Sequence, residues 1–144
     1  MICAASALAR RAPSGHYALP MAVDRFPCPC CGHLVFSGVP GSYDICPVCW
    51  WEDDLVQLRW PQFGGGANHP SLVEAQKTYV TMGASDARLV KHVRSANASE
   101  PLDPEWRPFD SERDPAERFI AGVDYGKTYD DDRTSYYYWR HHAR

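Results

Sequence analysis

Apolar positions in this chain come in short blocks rather than long periodic runs. Leu34-Val35-Phe36 is one block, followed by the turn residues Pro40-Gly41-Ser42 and then Tyr43. That order predicts a strand, a turn and a short return strand. Leu72, Ala75, Tyr79 and Met82 recur at helical spacing and predict one apolar face turned toward that hairpin. Ser71 and Glu74 form a capping box in front of them, and Gly83 suits a left-handed C-cap, so the helix is predicted over residues 72–82. Ser85 is read as the cap of a second short helix through His92, with Leu89 and Val93 inward. Gly64-Gly65-Gly66 reads as a flexible loop, and it lacks the lysine and Ser/Thr of a phosphate-binding loop.

The pattern changes from Ser99. Pro101, Pro104 and Pro108 alternate with acidic residues, which predicts an extended segment anchored by Trp106. Thr134-Ser135-Tyr136-Tyr137-Tyr138-Trp139-Arg140 then reads as a β-strand. Its predicted partner is Arg118-Phe119-Ile120-Ala121-Gly122-Val123, joined through Asp124-Tyr125-Gly126 as a C-terminal β-hairpin.

The chemistry is concentrated in two cysteine pairs, Cys28-Pro29-Cys30-Cys31-Gly32 and Cys46-Pro47-Val48-Cys49-Trp50. Each carries two thiols at C-x2-C spacing, the form of a zinc knuckle, and two knuckles supply the four ligands of one tetrahedral site. Pro29 and Pro47 preset the sharp turn each pair needs, and Gly32 can take positive φ just past the second ligand. Cys28, Cys31, Cys46 and Cys49 are therefore the expected ligands of one structural Zn2+ ion. Cys30 stands as a spare thiol, a substitute ligand or a redox-sensitive group. Four thiolates also accept iron. A thioredoxin-like pair would open a helix, whereas strand and turn signals follow here, and no secretory signal supports a disulfide framework. His33 and His69 are read as surface or hydrogen-bonding residues, and His141 and His142 as part of a basic end.

Composition narrows the function classes. The chain has 144 residues, 12 prolines and 10 glycines, which suits one small, turn-rich domain stapled by a metal. The formal charge is −3, and four thiolates with one divalent ion take it to −5. Residues 99–132 alone carry 11 acids against 4 bases. Phosphate binding needs clustered Lys and Arg, and the one small patch is Arg88, Lys91, His92 and Arg94. Trp50-Trp51 is expected to shield the sulfurs, and Glu52-Asp53-Asp54 to be a solvated turn or helix start.

The run from Phe26-Pro27-Cys28-Pro29-Cys30-Cys31-Gly32 to Trp50-Trp51-Glu52-Asp53-Asp54 resembles the bacterial cysteine-rich CPCC family. The similarity continues through Gly65-Gly66-Ala67-Asn68, Ser71-Leu72-Val73-Glu74-Ala75 and Gly83-Ala84 and ends near Trp106-Arg107-Pro108. The resemblance implies a small bacterial zinc-binding protein and implies no activity.

These readings predict a small α+β, zinc-ribbon-like fold: a double-knuckle β-hairpin, one or two short helices and a C-terminal β-hairpin extension. The expected organisation is a disordered or mis-assigned leader over residues 1–24, with Met21 as a candidate start. A zinc-binding domain over residues 25–108 and an acidic, aromatic extension over residues 109–144 follow. The expected function is a non-catalytic, cytoplasmic protein-interaction module with no membrane span and no small-molecule substrate. The alternatives are a nucleic-acid-binding zinc ribbon and a thiol redox sensor acting through Cys30. A closed four-cysteine site leaves no open position for catalysis. Trp50-Trp51 and the aromatic C-terminal strand are expected to pack on the domain itself, and any recognition surface is expected in Trp50 to Asp54 or that strand rather than at the metal.

Overall fold

The computed structural model describes residues 25–140. The leader, His141 and His142 lie outside the described residues. The strands are β1 (Phe26–Pro27) and β2 (Leu34–Phe36), and the helices are α1 (Leu55–Arg59) and α2 (Leu72–Met82). Three 3-10 turns follow, at Ala87–His92, Arg133–Tyr136 and Tyr138–Arg140. With one two-stranded antiparallel sheet, few helices and a four-cysteine cluster, the fold is small α+β. Among the described residues no helix is long and apolar enough to cross a membrane.

Each cysteine pair closes its own hairpin. In the first, the Cys28 N–H donates to the His33 carbonyl at 2.9 Å and the Gly32 N–H to the Cys28 carbonyl at 2.7 Å. The C-x2-C turn itself reverses the chain, so β2 pairs with β1: Phe26 faces Phe36 and Pro27 faces Leu34, with an irregular step between them. The predicted strand at Leu34 is present, but its partner precedes the knuckle instead of following Pro40-Gly41-Ser42. In the second, Cys46 N–H donates to Trp51 O and Trp50 N–H to Cys46 O, both at 2.8 Å, and Ile45 bridges Glu52. Residues 101–103 lie along the first hairpin, through Leu34 N–H to Pro101 O and Asp103 N–H to Gly32 O. The proline-rich segment is thus held by backbone bonds as well as by Trp106.

Helix α2 has the predicted capping box at Ser71 and Glu74 and the left-handed cap at Gly83, φ 71°. Leu72 and Ala75 are fully buried. The apolar face differs from prediction at its end, where Met82 is exposed and Gln76 is buried. Helix α1 begins where the acidic triplet allowed a helix start, with its extent unread because five residues carry too little periodicity; Asp54 caps it by accepting the Val56 N–H. The second short helix is a 3-10 turn capped by Asp86 rather than Ser85, whose N–H bonds the Cys49 carbonyl. Leu89 and Val93 are half-buried there.

The predicted C-terminal β-hairpin does not form. Tyr137, Tyr138 and Trp139 are consecutive and all buried, which the alternating faces of a strand forbid and a 3-10 turn permits. Their intended partner, residues 118–123, is exposed and without strand structure. The aromatic turn joins the same hydrophobic cluster as the cysteines, Trp51, Leu58, Leu72 and Ala75. The residues assigned to the extension therefore share a core with those of the cysteine-rich domain.

Candidate metal centre

The two hairpin tips bring Cys28, Cys31, Cys46 and Cys49 together, all four sulfurs lying within 4.8 Å of one another. Cys28 and Cys49 Sγ are 3.5 Å apart and Cys31 and Cys46 Sγ 3.8 Å. These spacings are far too long for a disulfide, whose sulfurs sit about 2.05 Å apart. They match the roughly 3.8 Å edge of a tetrahedron with metal–sulfur bonds of about 2.3 Å. The donor set thus fits a metal ion by number, type and spacing.

Burial makes that fit chemically consequential. All four residues are at most 1% exposed. Burial pushes the Cys28 and Cys49 thiols well above their ordinary range. Hydrogen bonds from the Cys28, Cys31 and Cys49 thiols pull Cys46 far below it. Buried thiols packed this closely cannot all carry charge without a compensating cation. A bound cation would replace their protons and allow four thiolates to share the site.

Three aromatic residues close the site. Trp51 is fully buried in the cluster's core. Trp106 lies over Gly32, and its indole N–H donates to the Pro29 carbonyl at 3.0 Å. Tyr79, on α2, is packed against the core, and burial together with the nearby thiolate charge raises its phenol to about 12. Gln76 ties the site to the C-terminal turn. Its amide donates to Pro29 O and Tyr138 Oη, both at 2.9 Å, and its oxygen accepts the Phe109 N–H. Sequence reasoning missed Gln76 because a polar side chain on an apolar face reads as a boundary of that face.

The sequence model of a family described as cysteine-rich CPCC matches residues 26–100. That is just over half of the chain, and it includes both hairpins and α2. The chain belongs to the cysteine-rich CPCC family. No curated protein matches it. The CPCC match ends before Trp106, although the resemblance read from the sequence ran to Pro108.

Cys30 stays beside the cluster in this CPCC protein, while the candidate histidines, the acidic triplet and the basic patch make their bonds elsewhere. Cys30 is fully buried beside the four, and burial raises its thiol. His33 Nδ1 bonds the Glu100 carbonyl, and His69 is exposed. Of the two readings of the acidic triplet, the helix start holds at Asp54 and the solvated turn does not: Asp53 and Asp54 are 2% and 4% exposed. Asp53 accepts the Ser42 N–H and hydroxyl, and Asp54 accepts the Ala67 N–H as well as capping α1. The glycine loop expected to be flexible is pinned on both sides. Gln57 donates to the Phe63, Asn68 and Pro70 carbonyls, and the Asn68 carboxamide bonds Glu52 N–H and O. Of the basic patch, Arg88 pairs with Asp86 and Arg94 with Glu100, each at 2.7 Å.

Trp50 and Trp51 take opposite roles. Trp51 enters the core, whereas Trp50 is half-buried and stacks on the exposed His92 ring, centroids 5.0 Å apart. Trp50 also sits at φ 68°, at the same knuckle position that Gly32 fills at φ 80°. The signal was present in the sequence, since Gly32 and Trp50 follow the second cysteine of each pair at the same offset.

Proposed function

We propose that this chain is a non-catalytic protein-interaction module held together by one structural zinc ion, on a zinc-ribbon-like double-knuckle scaffold. Cys28, Cys31, Cys46 and Cys49 are its ligands. The observation that carries this reading is the closure of the four-thiol cluster, all at most 1% exposed and roofed by aromatic rings. Such a site leaves no position for water or substrate, and the ion's role there is to fold the chain. The unpaired thiols fit a reducing compartment such as the cytoplasm.

Trp50 supports the interaction half of the proposal. Holding a side chain in the left-handed region costs about 1–2 kcal/mol that glycine avoids. Here the retained side chain is a half-exposed indole, a residue type favoured at binding hot spots. The nucleic-acid reading has less support, since Arg88 and Arg94 are already engaged by carboxylates. The redox-sensor reading has less support too, because a sensor thiol needs exposure and a low pKa, and Cys30 has neither.

Two measurements test the proposal. Elemental analysis should find one zinc per chain, with Cys46→Ser losing both metal and cooperative unfolding while Cys30→Ser retains both. Stoichiometric iron, or a metal-free chain with unchanged melting, defeats the zinc assignment. Affinity capture with the parent chain and Trp50→Ala tests the rest: a partner retained by the parent and lost by the variant is expected. Identical captures by both would remove Trp50 from the interface.

A further inference from the structure

A cavity of about 490 Å³ lies between helix α1 and the C-terminal extension, with none of the cysteines in its lining. That volume is within the range of small-molecule sites. Leu58, Phe109, Tyr136 and Tyr138 supply apolar and aromatic wall. The tyrosine hydroxyls are occupied elsewhere: Tyr138 donates to the Arg107 carbonyl, and Tyr136 Oη accepts the Asp130 N–H.

The charges around this wall are uneven. Three guanidiniums, of Arg59, Arg107 and Arg113, meet two carboxylates, of Asp114 and Glu117. Both carboxylates are saturated. Arg107 holds Asp114 through two bonds at 2.6 and 2.7 Å, and Arg59 holds Glu117 through two at 2.8 and 3.0 Å. Arg113 has no hydrogen-bonded ion-pair partner among the described residues and adds only a longer-range attraction to Asp114. The cavity therefore carries an excess positive charge in a chain whose formal charge is −3. A guanidinium free of any hydrogen-bonded carboxylate, lining an aromatic-walled cavity, selects for an anion with a flat apolar body. A dianion such as a phosphate monoester would set its second charge against Asp114 and Glu117, so a single carboxylate fits better.

We propose that this cavity binds a small aromatic monocarboxylate, its ring on the Phe109–Tyr136–Tyr138 wall and its carboxylate on Arg113. The ligand would bridge α1 and the extension, and so fasten the extension to the cysteine-rich domain. The site is independent of the proposed zinc role and of the Trp50 surface.

The test uses the full metal-loaded chain titrated with benzoate, 2-naphthoate and biphenyl-4-carboxylate, followed by calorimetry. Saturable one-to-one binding of at least one acid is expected, with its neutral primary amide at least about tenfold weaker. Arg113→Glu should weaken the acid by the same factor and leave metal content and melting unchanged, since Arg113 is exposed. Arg113→Lys should restore part of the affinity. Binding should also slow proteolysis within residues 110–136. No binding by any of the three acids, equal binding of acid and amide, or an unchanged affinity in Arg113→Glu would each overturn the proposal.

Discussion

Gly32 and Trp50 occupy equivalent positions in the two knuckles, and the structure predicts opposite outcomes for exchanging what they carry. A Cβ on Gly32 would lie 2.5 Å from Trp106 Cδ2, 2.7 Å from Cγ and 2.8 Å from Cε3. The obstacle is the body of a ring, held by its bond to Pro29 O and packed on the core, so it cannot swing aside cheaply. Gly32→Ala then combines a left-handed penalty of about 1–2 kcal/mol with overpacking of about 1–3 kcal/mol. Loss of the indole hydrogen bond adds about 0.5–1.5 kcal/mol. The expected destabilisation is about 4 kcal/mol, a large fraction of a small domain's stability. Trp50→Gly removes the same backbone penalty and gives up a stack with an exposed histidine worth about 0.5–1.5 kcal/mol. It should therefore lie within about 1 kcal/mol of the parent. Urea denaturation of the metal-loaded chains, followed by circular dichroism with metal release read in parallel, measures both. The Gly32→Ala, Trp106→Ala double variant should lose less than the sum of its singles, because the second change removes the clash. Gly32→Ala within 1 kcal/mol of the parent, or Trp50→Gly as damaged as Gly32→Ala, would refute the reasoning.

Gln76→Ala should cost about 2 kcal/mol, since it removes the acceptor of the part-buried Phe109 N–H and one of the two hydrogen bonds of the Tyr138 hydroxyl, and denaturation of the metal-loaded chain reads it directly. Arg59 stacks over Trp60 and Tyr129 at 4.5 and 4.6 Å while its guanidinium grips Glu117. Arg59→Lys keeps the charge but loses the planar fork, so residues 117–136 should be cleaved faster in limited proteolysis. The global loss should be only about 1–2 kcal/mol, as Glu117 is half exposed. Arg107 holds the Asp114 carboxyl below its ordinary value, so the pair's stabilisation is present above about pH 4 and is lost as pH falls through the lower folded value. The stability difference between Asp114→Asn and its parent should accordingly shrink toward zero on acidification, and metal loss common to both chains cancels from that difference.

Local chemistry carried a good deal of this molecule. The helix over residues 72–82 has both predicted caps, because capping uses groups three residues apart and needs no distant partner. The C-x2-C spacing likewise brings two thiols to one side of one tight turn. The failures came where neighbours in space decide. The aromatic residues 136–139 have strand-like propensity, but Tyr138 packs on Gln76 and Phe109 while Tyr137 and Trp139 are also buried, so the chain turns there. Asp53 and Asp54 look like solvent-facing acids until Ser42 and Ala67, brought close by the second hairpin, supply donors. Met82 continues a helical stripe in sequence, yet α2 projects past the core at that point.

By itself, then, the sequence determined the two knuckles, the four candidate ligands, the capped helix and the family, all of which rest on residues a few positions apart. Only the tertiary structure decided that each knuckle closes its own hairpin and that Trp51 is buried while Trp50 is half-exposed. It also decided that Cys30 is sealed away and that the acidic extension contributes its aromatic turn to the core around the cysteine cluster. Those outcomes depend on which surfaces meet after the chain has folded. Burial and packing are set by all the contacts at once, and no spacing along the chain records them.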